Sequence, residues 1–305
     1  MDSIKFIQHK KFLASIIEII DSKFFSANNG RVVRVLDIGC GPGDFATLLK
    51  NHYKEKIDLV GIDPSEKDIK EAKTKTNEVS FYQNGIVDWY SEHKDEAKFD
   101  LVLFTKSLHH CDDLEKSIQA AYDSLNANGL LFADEMDLHN LDKATIYWFM
   151  ERLDLIKASG RLGSQEKPSH DHQHGHQHHH HSHDNHNHNH NQEHDHDHGH
   201  GHDANNFRAK ILDETVDPFE RFSDFRNHPH IHKPDAVINA FKSIFGAEKV
   251  KFTNNTPFIY YILIPFGLED SEAGKKILNQ FLTQEERAIA NGTIKAAGFN
   301  ITIEK

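Results

Sequence analysis

Short apolar runs rich in β-branched residues alternate with segments of helical periodicity through most of the chain. Because strands joined by helices run parallel and need cover on both sides, this alternation predicts an α/β fold. The apolar runs predict strands at residues 31–38, 57–62, 79–82, 99–104 and 129–133. Helix periodicity and helix-start residues predict helices at residues 3–25, 45–53, 64–75, 114–125, 142–158 and 234–245.

The first predicted strand runs into a glycine-rich turn and a helix, "VLDIGCGPGDFA", at residues 35–46. In open α/β sheets a ligand lies beyond the carboxyl ends of the strands, and glycines allow the backbone to approach it closely. The spacing of Gly41, Gly43 and Ala46 also fits a dinucleotide fingerprint. Asp63, at the end of the second strand, could bind the ribose hydroxyls of a dinucleotide or of another nucleoside cofactor. A nicotinamide cofactor therefore remains an alternative at this point.

An acidic residue, Asp37, precedes Gly39 by two positions inside the first strand, where a dinucleotide fingerprint has no use for a carboxylate. The stretches "VLDIGCGPGDF", "LVGIDPS", "FDLVLFTKSLHHCDD" and "SLNANGLLFADE" together resemble motifs of the class I S-adenosylmethionine-dependent methyltransferases of types 11 and 12. The resemblance covers residues 30–137 strongly and the region up to residue 265 weakly. It implies a Rossmann-like doubly wound sheet of seven strands, mostly parallel with an antiparallel last strand, and S-adenosylmethionine as the cofactor.

The resemblance also implies which residues hold the cofactor. The glycine turn would contact the methionine part through its backbone, Asp63 would accept hydrogen bonds from the ribose, and the carbonyl of Thr105 would accept from the amino group. Many relatives have an aspartate after the third strand, whereas this chain has Asn84, with Asp88 as a second candidate for the adenine contact. The implied cofactor residues are Asp37, Gly39, Cys40, Gly41, Gly43, Asp63, Pro64, Asn84, Gly85 and Thr105.

Two histidines, His109 and His110, follow the fourth strand, where the resemblance places the meeting point of cofactor and acceptor. Methyl transfer needs a general base only when the acceptor carries a proton, and histidine suits that task. The alternative is that both histidines line the pocket or cap a helix. Three acids near the end of the fifth strand, Asp134, Glu135 and Asp137, favour a polar or cationic acceptor, with a solvated acidic loop as the alternative.

A histidine-rich tract at residues 170–203 contains 17 of the 26 histidines and no lysine, arginine or aliphatic residue. Such a composition cannot build a core, so it predicts a disordered insert, which we place at residues 161–205. Imidazoles on a flexible chain bind zinc, nickel or copper. The predicted metal ligands are His170, His172, His174, His176, His178, His179, His180, His181, His183, His186, His188, His190, His194, His196, His198, His200 and His202.

A second histidine group lies in "NHPHIHKP" at residues 227–234. If this stretch is extended, His228, His230 and His232 share one face and could bind a metal ion or line the substrate pocket. The alternative is a surface turn bounded by prolines.

The chain divides into a predicted methyltransferase domain at residues 1–265 and a C-terminal helical extension at residues 266–305 packed on it. Residues 249–254 and 257–264 predict the two closing strands, joined by a tight turn around Asn254 and Asn255. The extension predicts two short helices and a strand-like end, the second helix starting at Thr283 with Glu286 as its capping partner. A dimer contact through the extension is an alternative, so the predicted state is a monomer or a homodimer.

Composition narrows the classes of partner. A formal net charge of −12 argues against nucleic-acid binding, which needs clustered lysine and arginine. No apolar run has the length of a membrane span, and the first residues do not resemble a signal peptide. Cys40 and Cys111 give no disulfide framework, so a reducing compartment is expected, the cytoplasm or also the nucleus.

These observations favour a methyltransferase acting on an oxygen or nitrogen of a small molecule. A protein methyltransferase is the alternative within that class. A metal-buffering protein on a methyltransferase fold without activity is the alternative from another class, and calorimetry with S-adenosylmethionine separates them.

Overall fold

A seven-stranded sheet forms the centre of the computed structural model, which describes residues 3–26, 30–96, 98–162, 208–226 and 231–305. The strand order is β3-β2-β1-β4-β5-β7-β6. β7 runs antiparallel to its neighbours β5 and β6, and the pairs among β1 to β5 are parallel. The strands are β1 Val33–Ile38, β2 Ile57–Asp63, β3 Ser80–Gln83, β4 Phe99–Thr105, β5 Leu125–Met136, β6 Lys251–Thr256 and β7 Gly298–Glu304.

Helices cover both faces of this sheet, which confirms the predicted fold class. They are α1 Ile4–Ile19, which continues as a π-helical segment Ile20–Phe25, α2 Asp44–Tyr53, α3 Glu66–Lys75, α4 Ile86–His93, α5 Leu114–Asp123, α6 Lys143–Ala158, α7 Pro218–Arg221, α8 Ser223–Arg226, α9 Pro234–Phe245 and α10 Glu272–Ala290. Short 3-10 helices occur at Lys54–Lys56, Leu108–His110 and Ile259–Leu263. Within the described ranges, no helix combines the length and the apolar character that crossing a membrane requires.

Side-chain caps fix where several helices begin. Ser3, Ser65, Asp113, Asp142 and Ser271 each accept a hydrogen bond from a backbone N–H in the first turn of the helix that follows. Such a cap satisfies one of the N–H groups that have no partner inside the helix. The predicted helix starts at residues 3, 64, 114 and 142 agree with the observed ones to within two residues.

Three apolar clusters make up the core. One cluster joins α1, α2 and α3 to one face of the sheet, and another joins α4, α5 and α9 to the opposite face. The third cluster gathers the start of α1, α6, the 3-10 helix Ile259–Leu263 and α10. The central strands contribute residues to both of the first two clusters, because successive side chains of a strand point to opposite faces and both faces are covered.

The prediction of a strand at residues 257–264 is wrong. These residues form the 3-10 helix Ile259–Leu263, and the strand that pairs with β6 is β7 from the predicted extension. An apolar run of this length suits a strand and a buried helical turn equally. The choice is made by Glu285 of α10, whose carboxylate accepts the backbone N–H groups of Phe258, Ile259 and Tyr260 at 2.7, 2.7 and 2.8 Å.

The C-terminal extension is therefore part of the sheet, which crosses the predicted boundary at residue 265. The prediction of a second helix starting at Thr283 is also wrong, because α10 is continuous from Glu272 to Ala290. The hydroxyl of Thr283 donates to the carbonyl of Asn279 inside this helix, at 3.0 Å. The predicted disordered insert at residues 161–205 lies outside the described residues except for Arg161 and Leu162.

Candidate functional site

The turn between β1 and α2 brings three glycines to the carboxyl edge of the sheet, all with positive φ. Gly39 has to be a glycine because a Cβ there would lie 2.1 Å from the Cβ of Ser107. Gly41, at φ +50°, is different, since a Cβ there would have no heavy atom within 4 Å. Gly43 precedes the first residue of α2 as its N-cap. The turn thus packs tightly at one glycine and leaves open space at the next.

Asp63 ends β2 beside this turn. Its Oδ2 accepts the N–H of Gly41 and its Oδ1 accepts the N–H of Ser65, both at 2.9 Å. Burial raises the pKa of this carboxyl, while the two N–H donors oppose the shift. A carboxylate oxygen can accept more than one hydrogen bond, so both oxygens can still bind a pair of neighbouring hydroxyls. Pro64, next along the chain, is exposed.

Asp37 lies buried near the end of β1. The hydroxyl of Thr105, at the end of β4, donates to its Oδ1 at 2.9 Å. Its Oδ2 is buried and has no hydrogen-bond partner among the described residues. Burial raises the pKa of Asp37 to about 7, against the Thr105 hydrogen bond that lowers it. A buried carboxylate oxygen without a donor is costly, and a cationic donor would compensate for it.

Two further predicted cofactor residues follow β3. The side-chain nitrogen of Asn84 donates to Glu92 at 2.9 Å, which leaves its side-chain oxygen to accept a hydrogen bond. Gly85 is the N-cap of α4, and a Cβ there would have no heavy atom within 4 Å. Cys40 instead points into the core, where burial raises the pKa of its thiol, so that only its backbone can serve a ligand.

The two predicted catalytic histidines differ in environment. His109 is buried, with 4% of its surface exposed, and its Nδ1 bonds the Glu135 carboxylate. The other oxygen of Glu135 accepts the N–H of Leu108 at 2.8 Å. His110 is exposed, and its ring lies 4.2 Å from that of His109. His109 therefore fixes the loop after β4, and His110 presents the accessible imidazole.

The second histidine group is divided by the limits of the described chain. His228 and His230 lie outside the described residues, as do the 17 histidines of the tract. His232 lies within the described residues. Its ring Nε2 is 2.9 Å from the carbonyl oxygen of Cys111, and its backbone N–H donates to the carbonyl of His109. Within the described residues no cluster of three or more histidine, cysteine, aspartate or glutamate side chains could hold a metal ion.

The interpretation of Asp134 and Glu135 as a solvated acidic loop is wrong, since both belong to β5 and are 2% and 1% exposed. Each has a specific partner. Asp134 pairs with the ammonium of Lys106 and also accepts the side-chain amide of Asn300 at 2.7 Å. Pairing makes it possible to bury these carboxylates inside the sheet.

Sequence reasoning missed a group of residues around Lys106. This residue follows β4 at φ +60°, a conformation that non-glycine residues avoid, and its side chain is largely buried. Its Nζ lies 4.8 Å from the ring centroid of Phe12 in α1 and 4.9 Å from that of Tyr261. The segments concerned are distant in the chain, so the sequence carries no local signal for their meeting. Only its position inside the motif "FDLVLFTKSLHHCDD" could have drawn attention to it.

His9 of α1 was missed for the same reason. Its ring lies 6.3 Å from Phe45 of α2 and 5.7 Å from Tyr261. Burial, followed by the nearby Lys106 charge, lowers its pKa to about 4, so this imidazole is neutral at neutral pH. The structure thus places a neutral histidine between the glycine turn's helix and the Lys106 group.

Comparisons with known proteins agree with this arrangement. Residues 36–131 match a family profile described as "Methyltransferase domain". A carboxy-S-adenosyl-L-methionine synthase of Trichodesmium erythraeum is 32% identical over 105 residues, which cover 33% of this chain and 42% of that protein. A ubiquinone biosynthesis O-methyltransferase of Pelagibacter ubique is 31% identical over 100 residues, 33% of this chain and 40% of that protein. The chain thus matches about two fifths of the length of these relatives.

One similar solved structure is that of the plantazolicin methyltransferase BamL in complex with a triazolic desmethylPZN analogue and SAH. The alignment covers 99% of this chain and 89% of the BamL chain, with 14% sequence identity and a TM-score of 0.48. The family match and the strand order together confirm the resemblance that the motifs carried. Residues 36–131 are therefore similar to a methyltransferase domain, as the resemblance to the class I family implied.

Proposed function

We propose that the protein transfers a methyl group from S-adenosylmethionine to an oxygen or nitrogen atom of a small molecule. The observation that carries the proposal is the buried Oδ2 of Asp37, which has no donor within the described part of the chain, together with the open space at Gly41 in the turn that follows. A cofactor with a cationic amino group and a ribose fits this pair of features, because Asp63 offers two acceptor oxygens on the other side of the turn.

Each end of the cofactor would meet suitable residues of this chain. Asp37 would pair with the amino group, and the open backbone at Gly41 would lie against the methionine part. Asp63 would bind the ribose hydroxyls, and the side-chain oxygen of Asn84 would accept from the adenine amino group. When bound, S-adenosylmethionine supplies a methyl group that its sulfonium already activates for displacement.

The chain's own contribution would be to hold the acceptor in line with the methyl group and to exclude water. For an acceptor that carries a proton, two imidazoles are available. His110 is accessible after β4, and His9 is neutral and lies beside Tyr261. His109 would act as a positioning residue through Glu135 rather than touch the acceptor.

Calorimetric titration with S-adenosylmethionine and S-adenosylhomocysteine tests the proposal. We expect binding of both by the wild-type chain, and a strong loss in Asp63→Ala. Absence of binding by the folded wild-type protein would contradict the proposal and favour the metal-binding alternative. A screen of metabolite extracts with a labelled methyl donor would then identify the acceptor.

We also propose that the histidine tract at residues 170–203 binds divalent zinc, nickel or copper. The support is its composition alone, 17 imidazoles interleaved with six acidic residues. Zinc titration of the full chain and of a chain lacking residues 170–203 tests it directly. Equal zinc binding by the two proteins would contradict it, and equal turnover with and without zinc would show that the metal does not regulate the enzyme.

A further inference from the structure

A cavity of about 230 Å³ lies next to the loop after β4, between α1 and the ends of β5, β7 and β6. Phe12, Phe258 and Tyr261 contribute aromatic walls to it, and Lys106 and Asp134 line it together. Its volume is below the roughly 300–1,000 Å³ of pockets for drug-sized ligands, so it suits a molecule with about one ring. The cavity is therefore a candidate acceptor site with aromatic walls and a charged pair.

The charge on the lining favours an anion. Lys11 and Lys106 bring two ammonium groups to the cavity, whereas Asp134 brings one carboxylate. Burial lowers the pKa of Lys106, but the attraction of Asp134 outweighs it and the net shift is upward, so the ammonium stays charged. Lys11 pairs with Glu286 at 2.6 Å nearer the surface, with 46% of its side chain exposed. Lys106 is thus the cation inside the cavity.

Asp134 is held on the sheet side of this ammonium. Its Oδ1 accepts the amide of Asn300, whose own oxygen accepts the hydroxyl of Thr256 at 2.9 Å. The backbone N–H of Lys106 also donates to the carbonyl of Asp134, at 2.8 Å. This chain of hydrogen bonds fixes the carboxylate in β5. An ammonium has three N–H donors, so its pairing with Asp134 leaves donors for a ligand.

Aromatic rings hold the same ammonium from other sides. The Nζ of Lys106 lies 4.8, 4.9 and 6.0 Å from the ring centroids of Phe12, Tyr261 and Phe258. The rings attract the cation through their faces and also line the cavity, where they can pack against a flat ligand. A planar molecule with one anionic oxygen would satisfy both the rings and the charge.

We propose that this cavity binds the methyl acceptor as a small planar phenol or enol, with its deprotonated oxygen against the Lys106 ammonium and its ring against Phe12, Phe258 and Tyr261. The inference rests on the proposed function and names its substrate class. It departs from the polar or cationic acceptor that the acids of β5 suggested, because Asp134 is paired with Lys106 and Glu135 is bonded to His109 and to the backbone of Leu108.

The acceptor's hydroxyl proton leaves to solvent on binding, which the Lys106 charge favours by stabilising the oxyanion. The oxygen lone pair then forms the new bond to the methyl carbon, the carbon–sulfur bond breaks, and its electron pair returns to sulfur. A neutral methyl ether and a neutral thioether leave the site, so that no further base or oxidant is needed.

4-Nitrophenol tests the cavity, because its ionisation changes its absorbance. We expect wild-type protein, alone and saturated with S-adenosylhomocysteine, to bind it preferentially as the phenolate and to lower its apparent pKa. In Lys106→Met, phenolate binding should weaken by about tenfold or more, since a charged partner is lost. The matched control Lys10→Met should retain the shift, because Lys10 is an exposed lysine of α1 that does not line the cavity.

Removing Lys106 alone leaves a buried carboxylate, which can destabilise the fold. The double variant Lys106→Met, Asp134→Asn avoids this and should also lose the absorbance shift while its circular dichroism stays native. The inference is overturned if wild-type protein binds no phenolate, if the folded double variant binds it as tightly as wild type, or if tetramethylammonium displaces it. Failure of S-adenosylhomocysteine to bind would instead contradict the proposed function, and the titration of the free protein would still test the cavity.

Discussion

The two halves of the sheet's carboxyl edge are assembled in different ways. The cofactor half takes Asp37, the glycine turn and Asp63 from one continuous stretch, residues 37–63, and adds Thr105 and Asn84 from the ends of neighbouring strands. The cavity half collects Phe12, Lys106, Tyr261 and Asn300 from segments far apart in the chain. The comparison shows that a local motif can specify a cofactor site, whereas an acceptor site depends on how distant elements pack.

The largest expected effect belongs to the cavity half, at Glu285. Glu285→Ala removes the acceptor of three buried backbone N–H groups, which should lower the free energy of unfolding by about 4 kcal/mol. Denaturant unfolding of the variant measures this. The neighbouring Glu286→Ala is the control, since that side chain is 38% exposed, and a similar loss there would show that Glu285 has no special role.

Asp63→Ala should produce the largest effect on the cofactor half. Loss of the carboxylate removes both the ribose acceptor and the partner of Gly41, so affinity for S-adenosylmethionine should fall about 100-fold, close to 2.7 kcal/mol. Calorimetry measures the change. Asp58→Ala, on the same strand but half-exposed and paired with Arg34, should bind normally. Equal losses in the two variants would mean that the effect is not specific to the site.

The pH dependence of cofactor binding near neutral pH sharpens the comparison further, because it should originate mainly in Asp37. With a pKa of about 7 in the free protein, Asp37 must lose a proton to pair with a cationic amino group. Affinity should therefore rise about tenfold between about pH 6 and about pH 8, with proton release on binding. Calorimetry in buffers of different ionisation enthalpy measures both. The Asp37→Asn variant should bind the cofactor more weakly, and its affinity should no longer change between these pH values. If the pH profile of the variant matched that of wild type, Asp37 would be excluded as the source of the pH dependence.

The smallest expected effect is that of His110→Ala. If the acceptor binds as an oxyanion, no base is needed, and kcat should stay within about threefold of wild type, well below the roughly 100-fold or larger loss typical of a general base. Turnover with a phenol acceptor measures it. A loss of the larger size would show that His110 removes a proton and would favour an acceptor that binds in its neutral form.

Much of the cofactor half was predictable from the sequence. The spacing of Asp37, the glycine turn and Asp63 is local, and the positions of strands and turns follow from apolar periodicity. The environment of each group was not predictable. The sequence does not show that Thr105 bonds Asp37 through its hydroxyl, nor that His109 is buried on Glu135, because these contacts join residues that are 68 and 26 positions apart in the chain.

In the cavity half, prediction failed for a physical reason that one segment illustrates. Residues 257–264 have the composition of a strand, but Glu285 from α10 binds their backbone N–H groups and holds them as a 3-10 helix. A buried carboxylate 25 to 27 residues away decides the outcome, and local propensity contains no information about it.

By itself the amino-acid sequence determined the alternation of strands and helices, the cofactor turn and the acids on either side of it, because these depend on short-range periodicity and backbone geometry. Only the tertiary structure decided that β7 enters between β5 and β6 and that Lys106 meets Asp134 among aromatic rings. Burial and pairing of charges depend on the neighbours that the folded chain brings together, and those neighbours come from every part of the described sequence.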